Sequence, residues 1–472
     1  VLYPAVWMRH QQRDDYWKHG SVCENFDDIQ CAVYAVGGWA DGYPNAIPRM
    51  MEGLSAPRKA LIGPWSHAFP HNALPGPAIG FFQEMLRWWD YWLKDIDNGI
   101  MDEPPMRVWM EEHVPPAPLY EYRPGRWVAE PAWPSERIQN ETLYLNVLSM
   151  GRRAEPEDRM RITSPESTGL AGGDWYGFGG EGEMAIDQRE DDGKSLVFDA
   201  DTVLERIEIL GAPVAELEVT VDRPVAYVIV RLNDVAPDGA STRVTWGVLN
   251  LTQRESREHP EPLEAGKRYR VRVQMKDVAY AFAPGHTMRL AVSTSYWPMI
   301  WPAPEPVRLT LHTGVSSLQL PVRPPRAEDE QLRPFEPPER GPQSEPEALS
   351  SGDFRRTVER NLINNETTYR IYNEGGDFGG ASLAYIEDID LTAGYSLGKW
   401  FRIHEYDASG AEARIDQSCV LQRDDWSARV ECVTRLTADP QHFRLRATLH
   451  AYDGDALFFE REWDERIPRH LI

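Results

Sequence analysis

Residues 29–43, "IQCAVYAVGGWADGY", carry an unbroken apolar run from Ala32 to Val36 that stops at the pair Gly37-Gly38. A run of this length without polar alternation fits a strand buried on both faces of a parallel sheet, where helices cover each side. The same pattern returns in "KALIGPWSHAFP" (59–70), where the run from Ala60 to Ile62 stops at Gly63-Pro64. Between them, "NAIPRMMEGLSAPRK" (45–59) reads as a short interrupted helix, and two strands joined by a crossover of that length suggest an α/β unit. The stretch 79–96, "IGFFQEMLRWWDYWLKDI", places Phe82, Met85, Leu86, Trp89 and Leu93 at helical spacing and predicts an amphipathic helix covering the sheet. "MRVWM" (106–110) offers one more strand, and "EEHVPPAPLYEYRPG" (111–125) a turn-rich departure from that domain.

Beyond about residue 120 the period changes. Residues 206–239 and 268–298 hold alternating strands punctuated by Gly-Ala-Pro, Asp-Arg-Pro and Pro-Asp-Gly, which favours a sandwich or jelly roll. Residues 321–350, rich in Pro and Glu, predict a linker or an extended surface crossing. A second β-rich region follows to Ile472.

The chain has 472 residues, more than one hydrophobic core sustains, so several domains are expected. A formal charge of −24, with no local basic patch, opposes approach to a phosphate backbone and argues against a nucleic-acid partner. No apolar run is long enough to span a membrane. The four cysteines, at 23, 31, 419 and 432, are too few for a disulfide scaffold. Cys419 and Cys432 flank a predicted hairpin, which leaves a cross-strand bridge open.

Asp41 and His67 each follow an apolar strand by a few residues, at the carboxyl ends where catalytic groups of parallel sheets gather. A carboxylate there fixes the imidazole tautomer and stabilises the imidazolium, while the other ring nitrogen takes a nucleophile's proton. The competing structural reading makes Asp41 an Asx-type turn and His67 a strand cap. Trp39 and Trp65 are expected to pack the loops, and His71 lies too far beyond the turn to rank with His67. The nucleophile itself does not appear, since no G-x-S-x-G elbow occurs in the chain. Cys23 and Cys31 lack a strand-to-helix elbow around them, so they are poor substitutes.

"ENFDDIQCAVYAVGGWADGY", "LIGPWSHAFP", "VRLNDVAPDGASTRVTWGVLNLTQRESREHPEPL" and "FAPGHTMRLAVSTSYWPMIWPAP" together resemble the cocaine esterase and X-prolyl dipeptidyl-peptidase family of serine hydrolases, over about residues 15–320. The resemblance implies α/β plus all-β architecture: the C-terminal part of an α/β-hydrolase domain (21–118) and a galactose-binding-like jelly roll (119–325). Residues 1–20 become the end of a helical cap, 326–350 a linker and 351–472 an additional β-rich domain. Carried over by position, Asp41 is the triad acid and His67 the general base, whereas Ser66 is not the nucleophile. The family's serine and its tyrosine oxyanion donor would both precede Val1, and Tyr34 and Tyr43 do not match that donor's place.

These implications set further expectations. The substrate is a small ester, amide or short peptide, no metal or organic cofactor is needed, and an N-terminal companion fragment completes the site. Association of copies of the chain stays open, and the sequence, showing no signal-like segment, sets residence in the cytoplasm as an expectation. Trp297 and Trp301 are expected to pack the β domain on the hydrolase domain, and Arg231, Asp234 and Asp238 to hold a strand-end turn. The rival reading is a noncatalytic binding protein whose β domains recognise a carbohydrate or a protein partner.

Overall fold

In the computed structural model, which describes residues 1–342, 346–375 and 381–472, both apolar runs become adjacent parallel strands. Two short helices, α1 (Tyr3–Arg9) and α2 (Asp15–Lys18), precede β1 (Val33–Gly38). Helix α3 (Ala46–Gly53) crosses to β2 (Arg58–Gly63), helix α4 (Phe81–Lys94) follows, and β3 (Met106–Glu112) lies parallel to β2. The next strand, β4 (Gly125–Glu130), lies past the expected boundary at 118 yet pairs antiparallel with β3.

This sheet does not end where the β-rich region begins. Strand Val278–Phe282 pairs in parallel with the end of β3 through Tyr280 and Glu111, and antiparallel with Ile207–Gly211. One thirteen-stranded sheet thereby runs through both regions. A four-stranded sheet built on Tyr227–Val235 packs against it. Phe198, Leu232 and Leu290 from the smaller sheet share one core with Leu217, Val219 and Leu318 from the larger. Strand Arg268–Gln274 shows why, with buried and exposed residues alternating along its length as a half-buried strand requires.

Among the described residues, Glu347–Pro468 supply a third, nine-stranded antiparallel sheet whose last five strands follow one another as a meander. Segment 326–342 crosses the first domain's surface on the way to it. Arg323, fully buried, pairs with Glu130 at 2.7 Å and Asp329 at 2.9 Å, and Asp329 accepts the Ala129 N–H. Phe335 then covers Trp127 and lies under the Arg107 guanidinium.

Several expectations change. Helix α4 does cover the sheet, but through Phe81, Glu84 and Trp88; the predicted stripe faces outward, with Leu86 56% and Leu93 73% exposed. Both faces of α4 carry large apolar side chains, so periodicity could not choose between them. Glu84 is tolerated inside because Tyr34 donates to it and Arg87 and Arg333 pair with it.

Trp297 and Trp301 do not join the β region to the first domain. They pack on Ile403, Ala411, Phe401 and Phe443 of the third sheet, because the turn that carries them opens on that side. Ala5 of α1 likewise sits among Phe443, Leu445 and Ile467, so the first residues dock on the third sheet.

Only Asp238 holds a turn, accepting the Ala240 N–H. Arg231 and Asp234 are buried within Tyr227–Val235 instead. Arg231 pairs with Asp192, and Asp234 joins Tyr280, His286 and His113 at 2.7, 2.8 and 3.3 Å. Cys419 and Cys432 occupy neighbouring strands of the expected hairpin but stay free thiols, because Cys419 faces Val430 and Cys432 faces Gln417.

Candidate active site

Gly38 is what lets the ends of β1 and β2 close on each other. A Cβ there would stand 1.9 Å from the Trp65 carbonyl oxygen, so only glycine admits this approach. The two departing segments then bond across, Trp39 N–H to Gly63 O at 2.9 Å and Ala40 N–H to Trp65 O at 3.1 Å. That closure delivers Asp41 and His67 to one place.

His67 Nδ1 meets Asp41 Oδ2 at 3.0 Å, while Asp41 Oδ1 accepts the Tyr43 N–H at 3.2 Å. Asp41 therefore makes the Asx-type turn and orients the imidazole, so the two readings of this residue are compatible. With a carboxylate as its partner, Nδ1 carries the proton, and Nε2 is left as the ring's free acceptor. Asp41 is shielded and His67 accessible, at 14% and 42% side-chain exposure. No serine, threonine or cysteine hydrogen-bonds to His67 among the described residues.

Ser66 is buried, and its hydroxyl donates to the Leu74 carbonyl at 2.6 Å, which spends its proton away from His67. The His71 ring lies tilted against Phe82 at 4.3 Å and has no carboxylate partner among the described residues; burial, with Arg340 nearby, pushes its pKa down. Trp39 and Trp65 donate their indole N–H groups to Trp109 O and Pro77 O and pack as expected.

Two contributors carry no local signal. Loop 174–180 of the β region lies over the imidazole: Gly177 O accepts the His67 N–H at 2.9 Å, Tyr176 stands 4.2 Å from the ring, and Phe178 meets it edge-on. Lys276 donates to the Asp41 carbonyl at 3.3 Å and lies over the Trp175 ring at 4.7 Å. Burial, reinforced by Arg243, pushes the Lys276 ammonium down to about 8, and burial pushes its neighbour Asp277 up to about 7. Lys276 also borders a cavity of about 130 Å³ behind Asp41, between the α/β and the β-rich regions.

In front of His67 a groove of about 780 Å³ runs between β1 and α4, walled by Val36, Phe69, Phe81, Met85 and Trp89. β1 is the edge of its sheet there, with no strand on its far side among the described residues.

His113, Asp234 and His286 bring atoms capable of binding a metal within 4.8 Å of one another. Asp234's oxygens are already bonded to Tyr280 and His286, so the group is complete as a hydrogen-bonded seam between β3's end and the β region.

Residues 2–69 match the family model of X-Pro dipeptidyl-peptidases of the S15 family, and residues 98–328 that of the X-Pro dipeptidyl-peptidase C-terminal non-catalytic domain. A Mycobacterium bovis protein provisionally named a serine esterase is 26% identical over 315 residues, 59% of this chain and 46% of its own. The cocaine esterase of a Rhodococcus species is 23% identical over 309 residues, 61% of this chain and 53% of its own. The chain thus spans about half the length of the curated relatives it matches. Among solved structures, an aminopeptidase from a marine sediment archaeon of the Thaumarchaeota superposes with a TM-score of 0.56 at 18% identity, covering 68% of this chain and 60% of that one. No helix among the described residues is long and apolar enough to cross a membrane.

Proposed function

Because the chain belongs to the cocaine esterase and X-Pro dipeptidyl-peptidase family of hydrolases, we propose that it supplies the acid and base of a serine hydrolase acting on a small ester or amide. The observation that carries this reading is the Asp41–His67 hydrogen bond at 3.0 Å beside an apolar groove. The nucleophilic serine comes from polypeptide outside residues 1–472, laid along the open edge of β1. That edge exposes unpaired backbone groups, and the outward apolar face of α4 offers a second surface for the same polypeptide.

His67 Nε2 takes the serine proton as the oxygen attacks the substrate carbonyl, and Asp41 stabilises the imidazolium. The imidazolium then protonates the departing alcohol or amine as the acyl-enzyme forms. Water, deprotonated by the same nitrogen, attacks the acyl carbon and releases the acid. Phe69, Phe81 and Trp89 favour an apolar acyl group. The β region, taken as a jelly roll, contributes its loop 174–180 to the site. Four free thiols fit a reducing compartment such as the cytoplasm.

The test is to express residues 1–472 alone and the longest gene product containing them, assaying p-nitrophenyl butyrate hydrolysis and fluorophosphonate labelling. Label on a serine outside residues 1–472, with hydrolysis lost in His67→Ala, is expected. Hydrolysis that survives His67→Ala refutes the assignment.

A further inference from the structure

The third sheet begins after residue 328, where the family match stops, yet one of its arginines reaches the loop over His67. Arg356, on strand Phe354–Asn361, is buried to 12% side-chain exposure. Its two terminal nitrogens grip Asp174 Oδ1 and Oδ2 at 2.8 and 2.9 Å, a bidentate charge-assisted pair. The same guanidinium donates to the Gly182 carbonyl at 3.0 Å and to Tyr369 Oη at 3.3 Å. Both ends of loop 174–183 are therefore held by one side chain.

The loop is built to receive it. Gly182 has φ +78°, and a Cβ there would stand 2.3 Å from Arg356 Cδ, so the arginine occupies the space a side chain would need. Between the two held ends, Glu183 Oε2 accepts the N–H groups of Phe178, Gly179 and Gly180 at 2.7, 2.9 and 2.8 Å, curling the backbone into a tight bend. That bend presents Gly177 O to the His67 N–H and sets the Tyr176 and Phe178 rings against the imidazole.

We propose that Arg356 is a positioning residue for the catalytic imidazole: the third sheet, through this arginine, holds loop 174–183 against His67 and so sets the ring's place beside Asp41. The proposal rests on the hydrolase reading above for its catalytic consequence, but the clamp itself stands on the contacts. No other cation pairs with Asp174 among the described residues, so removal of the guanidinium leaves that carboxylate without its partner. The loop then loses its side-chain tie to the third sheet at both ends and keeps only the backbone bond from the Asp174 N–H to Glu183 O across its neck.

The experiment uses residues 1–472 labelled at histidine ¹³Cε1, and the longest gene product containing them for kinetics. In Arg356→Ala the His67 resonance should lose the ring-current shift imposed by Tyr176 and Phe178. In the gene product kcat should fall about 10- to 100-fold with KM little changed, the scale set by misplacing a catalytic group by about 1 Å. Arg356→Lys, which cannot reproduce the fork, should restore only part of both. Should Arg356→Ala fail to fold, Asp174→Asn removes the loop's side of the clamp with the third sheet untouched, and the same two changes are expected. An unchanged His67 resonance and unchanged kcat in these variants overturn the proposal. If His67→Ala retains hydrolysis while the ring-current shift collapses in Arg356→Ala, the hydrolase reading fails and the clamp stands.

Discussion

Replacing Gly38 by alanine tests whether the close approach of β1 and β2 builds the site. The added Cβ would lie 1.9 Å from Trp65 O, whereas real Cβ contacts essentially never fall below 3.0 Å. The obstacle is backbone, so the strand ends must part by about 1 Å. Overpacking of this kind costs about 1–3 kcal/mol, and loss of the Trp39–Gly63 and Ala40–Trp65 bonds adds about 1 kcal/mol each. Gly38→Ala should therefore lose about 3–5 kcal/mol in urea unfolding. An opening of about 1 Å also takes the Asp41–His67 contact from 3.0 Å beyond hydrogen-bond range, so the His67 Nδ1 proton should lose its downfield NMR position. Gly20→Ala is the control, since nothing lies within 4 Å of the Cβ it adds. Stability within about 0.5 kcal/mol of the parent, with the Nδ1 proton unmoved, would refute this account of how the dyad is assembled.

Asp41→Asn should lower ester hydrolysis by the full gene product about 10⁴-fold, because an amide no longer selects the productive tautomer. Ser66→Ala should leave kcat essentially intact, since that hydroxyl serves only Leu74 O, and steady-state kinetics separates the two. Burial pushes both Glu166 and Asp277 up to about 7. The folded chain then holds protons that the unfolded chain releases, so stability is full below about pH 4 for these groups and declines as pH rises through about 7. The double variant Glu166→Gln, Asp277→Asn should flatten that part of the urea-midpoint profile; an unchanged slope would show that burial does not control it. Arg323→Met leaves Glu130 and Asp329 buried without their shared cation and should cost about 3–5 kcal/mol in denaturant unfolding.

Local order was readable wherever it followed from neighbouring residues. The apolar runs ending at Gly37-Gly38 and Gly63-Pro64 gave both parallel strands, and the placement of Asp41 and His67 just beyond them anticipated their hydrogen bond. A crossing over 326–342 agrees with the Pro- and Glu-rich composition, but the strand Glu347–Ser351 begins inside the expected 326–350 linker, and the anchoring by Arg323 and Phe335 left no trace in composition. Helix α4 was legible as a helix but not in its orientation, because Trp88 and Trp89 stand on different faces and either suits an apolar neighbour. Trp297 was legible as a packing residue, and its partner was misjudged because the third sheet bore no recognised motif.

The sequence by itself determined the strand and helix periods, the glycine stops and the placement of a carboxylate and an imidazole at successive strand ends, since each depends on spacing within a few residues. Tertiary structure alone decided that one sheet runs through the α/β and the β-rich regions, that Lys276 backs Asp41, and that loop 174–183 reaches His67 under the grip of Arg356. Such contacts join segments far apart in the chain, and their energy comes from burial and charge pairing that leave no periodic trace in either segment.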